Sequence, residues 1–192
     1  MRIAILAWGS LLWDEEGNRE FDKWRGDWEF DGPSLRIEFS RISKSRKDAL
    51  TLVIDPENGV PTIVAWCPSK RKKLEDAVAD LRCREGTTIG NIGYIRLDEQ
   101  AVPRDPASAT AGIFAWARRK KFDAVVWTAL ESNFKKRGKR SFVRAVVAYV
   151  KKLSPEGKAK AAEYVWRAPA FVQTPIRAAL QQAPWFPKSG SY

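Results

Sequence analysis

The chain opens with short apolar runs and closes with apolar residues at helical spacing. Arg2 to Trp8 is an apolar run that breaks at Gly9-Ser10, the pattern of a buried strand ending in a loop. Leu35, Ile37 and Phe39 alternate with Arg36, Glu38 and Ser40, which predicts a half-buried strand. Ala49 to Ile54 and Val60 to Cys67 read as two more strands. The Asp55-Pro56-Glu57-Asn58-Gly59 turn between them predicts that they pair as a hairpin. Leu74, Ala77, Val78 and Leu81 recur at i, i+3, i+4, i+7, so Ser69 to Glu85 is expected to be an amphipathic helix stopped by Gly86. A glycine-spaced loop through Gly86, Gly90 and Gly93 then leads to a strand over Tyr94 to Leu97.

The later half alternates the two periods. Pro103 to Ala109 reads as a loop, Ile113 to Lys120 as a short helix, and Phe122 to Thr128 as a strand. Ser141 to Leu153 has helical periodicity through Phe142, Val146, Tyr149 and Val150. Ser154-Pro155-Glu156 starts another helix, with serine as N-cap and proline in the first turn. Thr174-Pro175 repeats that device for a last helix through Gln182, and Lys188 to Tyr192 is expected to be a loose tail. No internal repeat or domain boundary stands out, so residues 1–187 read as a single mixed α+β domain with an extended helical C-terminal half.

Composition narrows the chemistry. The chain has 192 residues, 44% hydrophobic and 30% charged, and can bury roughly 70% of its unfolded surface without staples. It contains no histidine, which removes Ser-His-Asp and Cys-His nucleophilic machinery and histidine-ligated metals together. Cys67 and Cys83 have no metal-ligand spacing and do not make a disulfide framework. The run Ile3 to Trp13 is too short to span a bilayer, and Asp14, Glu15 and Glu16 follow it, so neither a membrane span nor a signal peptide is expected and a cytoplasmic setting fits best. The net charge of +11 gathers at Lys70 to Lys73, Arg118 to Lys121 and Lys135 to Arg140. Basic clusters beside nine tryptophans could meet nucleic acid, but each cluster lies on a polar face or at an element end, which weighs against that partner. An acidic ligand or a weak polyanion surface is as far as the charge reads.

Two features carry candidate chemistry. Glu85 extends the apolar stripe of its helix by one turn beyond Leu81. There a carboxylate meets the negative end of the helix dipole, and partial burial further disfavours its charge. Both effects suit a general base, although a glutamate at that place could equally be solvated or paired with Arg82 or Arg84. The second feature is Trp8-Gly9-Ser10-Leu11-Leu12-Trp13, where small residues let backbone N–H groups approach an anion and Ser10 adds a hydroxyl. With no histidine to activate it, Ser10 is a weak nucleophile.

Taken together, the two features resemble the γ-glutamylcyclotransferase-like superfamily, including its ChaC-like and AIG2-like branches. Those proteins open with a strand running into a Tyr-Gly-Ser-Leu type loop, which here reads Ala7-Trp8-Gly9-Ser10-Leu11-Leu12-Trp13. Their later helix ends in Leu-x-x-Arg-Glu, matched by Leu81-Arg82-Cys83-Arg84-Glu85, and Gly93-Tyr94 is similar to the pair that enters their next strand. Trp8 stands where the family usually has tyrosine, and from Asp98 onward no family motif can be assigned.

The resemblance implies a barrel-like mixed β-sheet with flanking helices. It also implies release of 5-oxoproline from a γ-glutamyl compound, with no metal and no organic cofactor. Carried over, Glu85 is the base, and Trp8, Gly9, Ser10, Leu11 and Leu12 bind the substrate. Glu131, Ser132 and Asn133 follow an apolar stretch and could line the same cavity, or simply form a turn. Two other readings stand beside the enzyme. One is a non-catalytic module of the same fold that holds a small anionic metabolite. The other, carrying less weight, is a basic protein associated with nucleic acid. The oligomeric state is not readable from the chain.

Overall fold

The computed structural model describes residues 1–98, 109–134 and 139–190. The chain is α+β and divides into two compact units, each assembled from separate stretches: Met1–Leu35 with Ile63–Leu130, and Arg36–Thr62 with Glu131–Tyr192.

The first unit is built on a four-stranded sheet, in the order β5 (Ala65–Pro68), β1 (Ile3–Ala7), β7 (Ala124–Thr128), β6 (Ile92–Arg96). β1 runs antiparallel to β5 and parallel to β7, and β7 runs antiparallel to β6. Helix α2 (Leu74–Glu85) lies on this sheet, and its buried Leu74, Ala77, Val78 and Leu81 share a core with Ile3, Ile5, Ala7, Cys67, Ile92 and Val126. Leu81 is wholly buried, so truncating it to alanine costs about 2–5 kcal/mol. Trp66, neighbour of Cys67 on β5 and so on the opposite face, packs against Trp116 of α3 (Ala109–Lys120) and against Phe122.

The second unit carries a three-stranded sheet ordered β3 (Ala49–Ile54), β2 (Ser34–Ser43), β4 (Val60–Ile63), the outermost residues of β2 and β4 belonging to the first unit. Helix α5 (Pro155–Arg167) packs on β3, and α4 (Lys139–Lys151), α5 and α6 (Pro175–Gln182) pack on one another. The expected caps are in place: Ser154 accepts from the Gly157 N–H and Thr174 from the Arg177 N–H. Among the described residues no helix is long and apolar enough to cross a membrane.

Four expectations are corrected. The strands form two separate sheets and do not close into a barrel-like one. The strands after Ala49 and Val60 are not a hairpin, because β2 lies between β3 and β4, and the second run splits into β4 and β5 in different sheets. The helix begins at Leu74 and not at Ser69, since the Ser69 N–H bonds to the Ile3 carbonyl and the Lys70 N–H to the Trp24 carbonyl, which keeps that stretch extended. Finally, β2 is buried on both faces: Glu38 and Ser40 are as buried as Ile37 and Phe39. The Glu38 carboxylate accepts from the N–H of Phe39 (2.7 Å) and of Ile176 (3.4 Å), the latter in the first turn of α6. The Pro103 to Ala109 loop lies outside the described residues except for Ala109, which opens α3. Residues 135–138 of the third basic cluster and the last two residues of the tail also lie outside them.

Candidate active site

β1 delivers the Trp8–Trp13 loop to the C-terminal end of α2, within the first unit. After β1 the chain tightens into a 3-10 turn over Ser10–Leu12, in which the N–H groups of Leu12 and Trp13 bond back to the carbonyls of Gly9 and Ser10. Leu11 is buried in the core beneath α2 and Leu12 packs against it, so the two leucines anchor the loop from below. Trp8 is also buried, at 5% exposure, while Ser10 is half-buried.

A short helix α1 (Glu15–Asn18) follows. Asp14 caps it by accepting from the Gly17 N–H at 3.2 Å. Asn18, at its other end, is buried, and its Nδ2 donates to the Leu11 carbonyl at 2.7 Å. The loop is thus held from two sides: by its leucines in the core and by Asn18 across the turn.

The end of α2 meets this loop through Arg84. Gly86 takes left-handed backbone angles (φ 56°), and the N–H groups of Gly86 and Thr87 close on the Cys83 and Arg82 carbonyls, which ends the helix just past Glu85. The Arg84 side chain is only 7% exposed. Its Nε donates to Asn18 Oδ1 at 2.5 Å, and its Nη2 reaches Ser10 Oγ at 3.4 Å and Asp14 Oδ2 at 3.3 Å. Its Nη1 lies 3.3 Å from Glu85 Oε1. One guanidinium therefore spans the Gly-Ser loop, the α1 cap and the candidate base.

Glu85 is half-buried, its side chain 17% exposed, and it does not point away into solvent. The helix-end reasoning places a negative dipole beside it; the structure adds a positive charge at 3.3 Å, a counter-ion for the ionised carboxylate. The structure thus brings Glu85 and Ser10 onto a shared partner. Of the two arginines that sequence offers as partners of Glu85, Arg84 is bonded to it, and the residues that sequence reasoning left without a role are Asp14 and Asn18. The signal for Arg84 was present in the arginine of Leu81-x-x-Arg84-Glu85, and for Asp14 in its capping position three residues before Gly17.

Glu131, Ser132 and Asn133 lie outside the first unit. They belong to the second unit and clip the edge of β2: Ser132 Oγ donates to the Ser40 carbonyl, Asn133 bonds both backbone groups of Ile42, and Arg41 reaches the Glu131 carbonyl. Cys67 is buried, which pushes its thiol well above the usual range, whereas Cys83 is exposed; both are free thiols. Compared with protein-family models, curated proteins and solved structures, the chain has no significant match.

Proposed function

We propose that the first unit is a cofactor-independent cyclotransferase-like enzyme that releases 5-oxoproline from a γ-glutamyl compound. The observation that carries this reading is the Arg84 bridge, which holds the Glu85 carboxylate and the Ser10 hydroxyl on one guanidinium. A base and a small-residue loop from distant parts of the chain are thereby tied to one side chain.

The chemistry is intramolecular. The substrate ammonium gives a proton to Glu85, and the freed amine attacks the γ-carbonyl carbon of the same molecule. The bond from that carbon to the leaving nitrogen breaks as Glu85 passes its proton on to that nitrogen; Glu85 then takes the second proton of the attacking nitrogen, which the departing amine carries away as an ammonium. Products are 5-oxoproline and an amine, with no change in oxidation state. Holding the substrate curled so that nitrogen and carbonyl carbon touch removes much of the entropic barrier. Backbone N–H groups of Gly9, Ser10 and Leu11 would face the developing oxyanion or the substrate carboxylate. Asp14 and Asn18 act through Arg84 as positioning residues.

A non-catalytic metabolite-binding module is the second reading. The buried Trp8 indole favours it, because it takes the place of a phenol and fills space beside the loop. Assaying 5-oxoproline release from glutathione, a γ-glutamyl amino acid and a γ-glutamyl amine, with native protein and Glu85→Gln, separates the two. The enzyme makes product, and the variant loses at least about 100-fold in rate. The binding module makes none, yet its melting temperature rises with ligand.

A further inference from the structure

The net charge of +11 is not shared between the two units. The first holds sixteen basic and sixteen acidic residues and is neutral; the second holds eighteen basic and seven acidic residues, so the whole excess resides there. Two of those seven carboxylates, Glu38 and Asp55, are buried, which makes the surface of this unit more positive than its sequence count.

Part of the excess converges on one corner. Lys44–Arg46 form a 3-10 turn, and Lys47 and Asp48 follow with left-handed backbone angles (φ 55° and 62°) that fold the chain back sharply. This turn is fastened to the junction of α4 and α5. The Tyr149 hydroxyl donates to the Asp48 carbonyl at 2.8 Å, and the Arg46 guanidinium lies 5.1 Å from the Tyr164 ring centre. Gly157 sits so close that a Cβ there would be 2.7 Å from the Lys47 carbonyl. The turn is thereby held against the α4–α5 junction, so that Lys44 and Lys47 share a corner with Lys151, Lys152 and Lys158; its acidic members are Asp48 in the turn itself and Glu156, 3.5 Å from Lys47. All five lysines but Lys158 are exposed, and Lys158 is half-buried.

We infer that this corner of the second unit binds the phosphate backbone of duplex nucleic acid without reading its sequence. Clustered lysines, four of them exposed, on a corner fastened by the Tyr149–Asp48 bond supply the electrostatic term that dominates such binding. The apolar side chains point to a duplex as the occupant. The exposed large ones among the described residues, Met1, Trp24, Phe30, Ile63 and Ile89, all belong to the first unit. In the second unit, Phe39 packs on Tyr164, and Phe134 on Phe142 and Tyr149, so these rings are engaged inward and are not offered for stacking on single-strand bases. The apolar faces of α4, α5 and α6 are likewise turned inward through Phe142, Val146, Ala161, Val165, Ile176 and Leu180, so among the described residues of this unit no apolar helix face is offered to a bilayer. This inference is independent of the cyclotransferase reading and revises the weight that sequence alone gives to nucleic acid.

The test is fluorescence anisotropy of a labelled 20-base-pair duplex titrated with the full chain at several salt concentrations. Five phosphate contacts predict that log affinity falls with log salt at a slope of about −4 to −5. Lys44→Gln, Lys151→Gln and Lys152→Gln combined should cut that slope by about three. Lys72→Gln, Lys73→Gln and Arg119→Gln, on the neutral unit, should leave it unchanged, with melting curves confirming that both variants fold. Absence of duplex binding at low salt, equal losses in the two variants, tighter binding to the single strand, or retention only by phosphatidylserine vesicles would each overturn the inference.

Discussion

Arg84 and Asn18 are joined by a 2.5 Å hydrogen bond from the guanidinium Nε to the amide oxygen, and the Asn18 amide nitrogen passes the restraint on to the Leu11 carbonyl. The last turn of α2 is thereby tied to the loop after β1, across 66 residues of chain. Removing the arginine leaves Asp14 and Glu85 without their shared cation. Arg84→Gln should therefore lower stability by about 2 kcal/mol, read as a shift of the urea midpoint at unchanged m-value. Arg84→Lys keeps the charge but not the fork, so it should regain part of that stability while 5-oxoproline release stays depressed.

A second prediction concerns pH. Burial pushes the Glu38 carboxyl up to about 7 from its ordinary 4.5; bonds from Thr174 and from the Phe39 and Ile176 N–H groups oppose this, and the Asp55 charge adds to it. Between those two values the unfolded chain has released a proton that the folded chain still holds. Stability from this group is therefore complete below pH 4.5, falls as pH rises, and is gone above 7, a difference of at most about 3 kcal/mol. Glu38→Gln, neutral at every pH, should flatten the melting temperature across this window and raise it at pH 8.

Thr174 contributes to the same cluster, capping α6 through the Arg177 N–H and bonding the Glu38 carboxylate. Thr174→Ala should cost about 1–2 kcal/mol. Combined with Glu38→Gln, its effect should depart from additivity by more than about 0.5 kcal/mol, because the two side chains touch. Additive losses in a double-mutant cycle would show that they act separately.

Thiol labelling checks the burial assignment. Cys83 is exposed and lies 3.1 Å from an Arg82 nitrogen, whereas Cys67 is at 0% exposure inside the sheet-and-helix core. Native protein should take up one equivalent of a thiol reagent quickly, and unfolded protein two.

How far sequence reaches depends on the range of the interaction. Ser154-Pro155 and Thr174-Pro175 announce α5 and α6 because an N-cap is satisfied within three residues. Gly86 marks the end of α2 for the same local reason. β3 folds back on β2 across the short 44–48 turn, whereas β4 pairs with β2 and not with β3, its neighbour in sequence, although the turn after Ile54 looks like a hairpin turn whichever strand it serves. Glu38 reads as an outward-facing residue by alternation because two of the groups that bond its buried carboxylate, the Ile176 N–H and Thr174, lie more than 130 positions away. The candidate site is legible in its ends, Ser10 and Glu85, whereas Arg84 gains its meaning only once Asn18 and Asp14 are seen around it.

The decisive assay is 5-oxoproline formation from the γ-glutamyl panel by native protein and by Glu85→Gln, with equal melting curves as the control for folding. The proposed mechanism predicts product from at least one panel member and a loss of about 100-fold or more in the variant. Product formed equally well by Glu85→Gln, or no product from any member with the native chain, would contradict it.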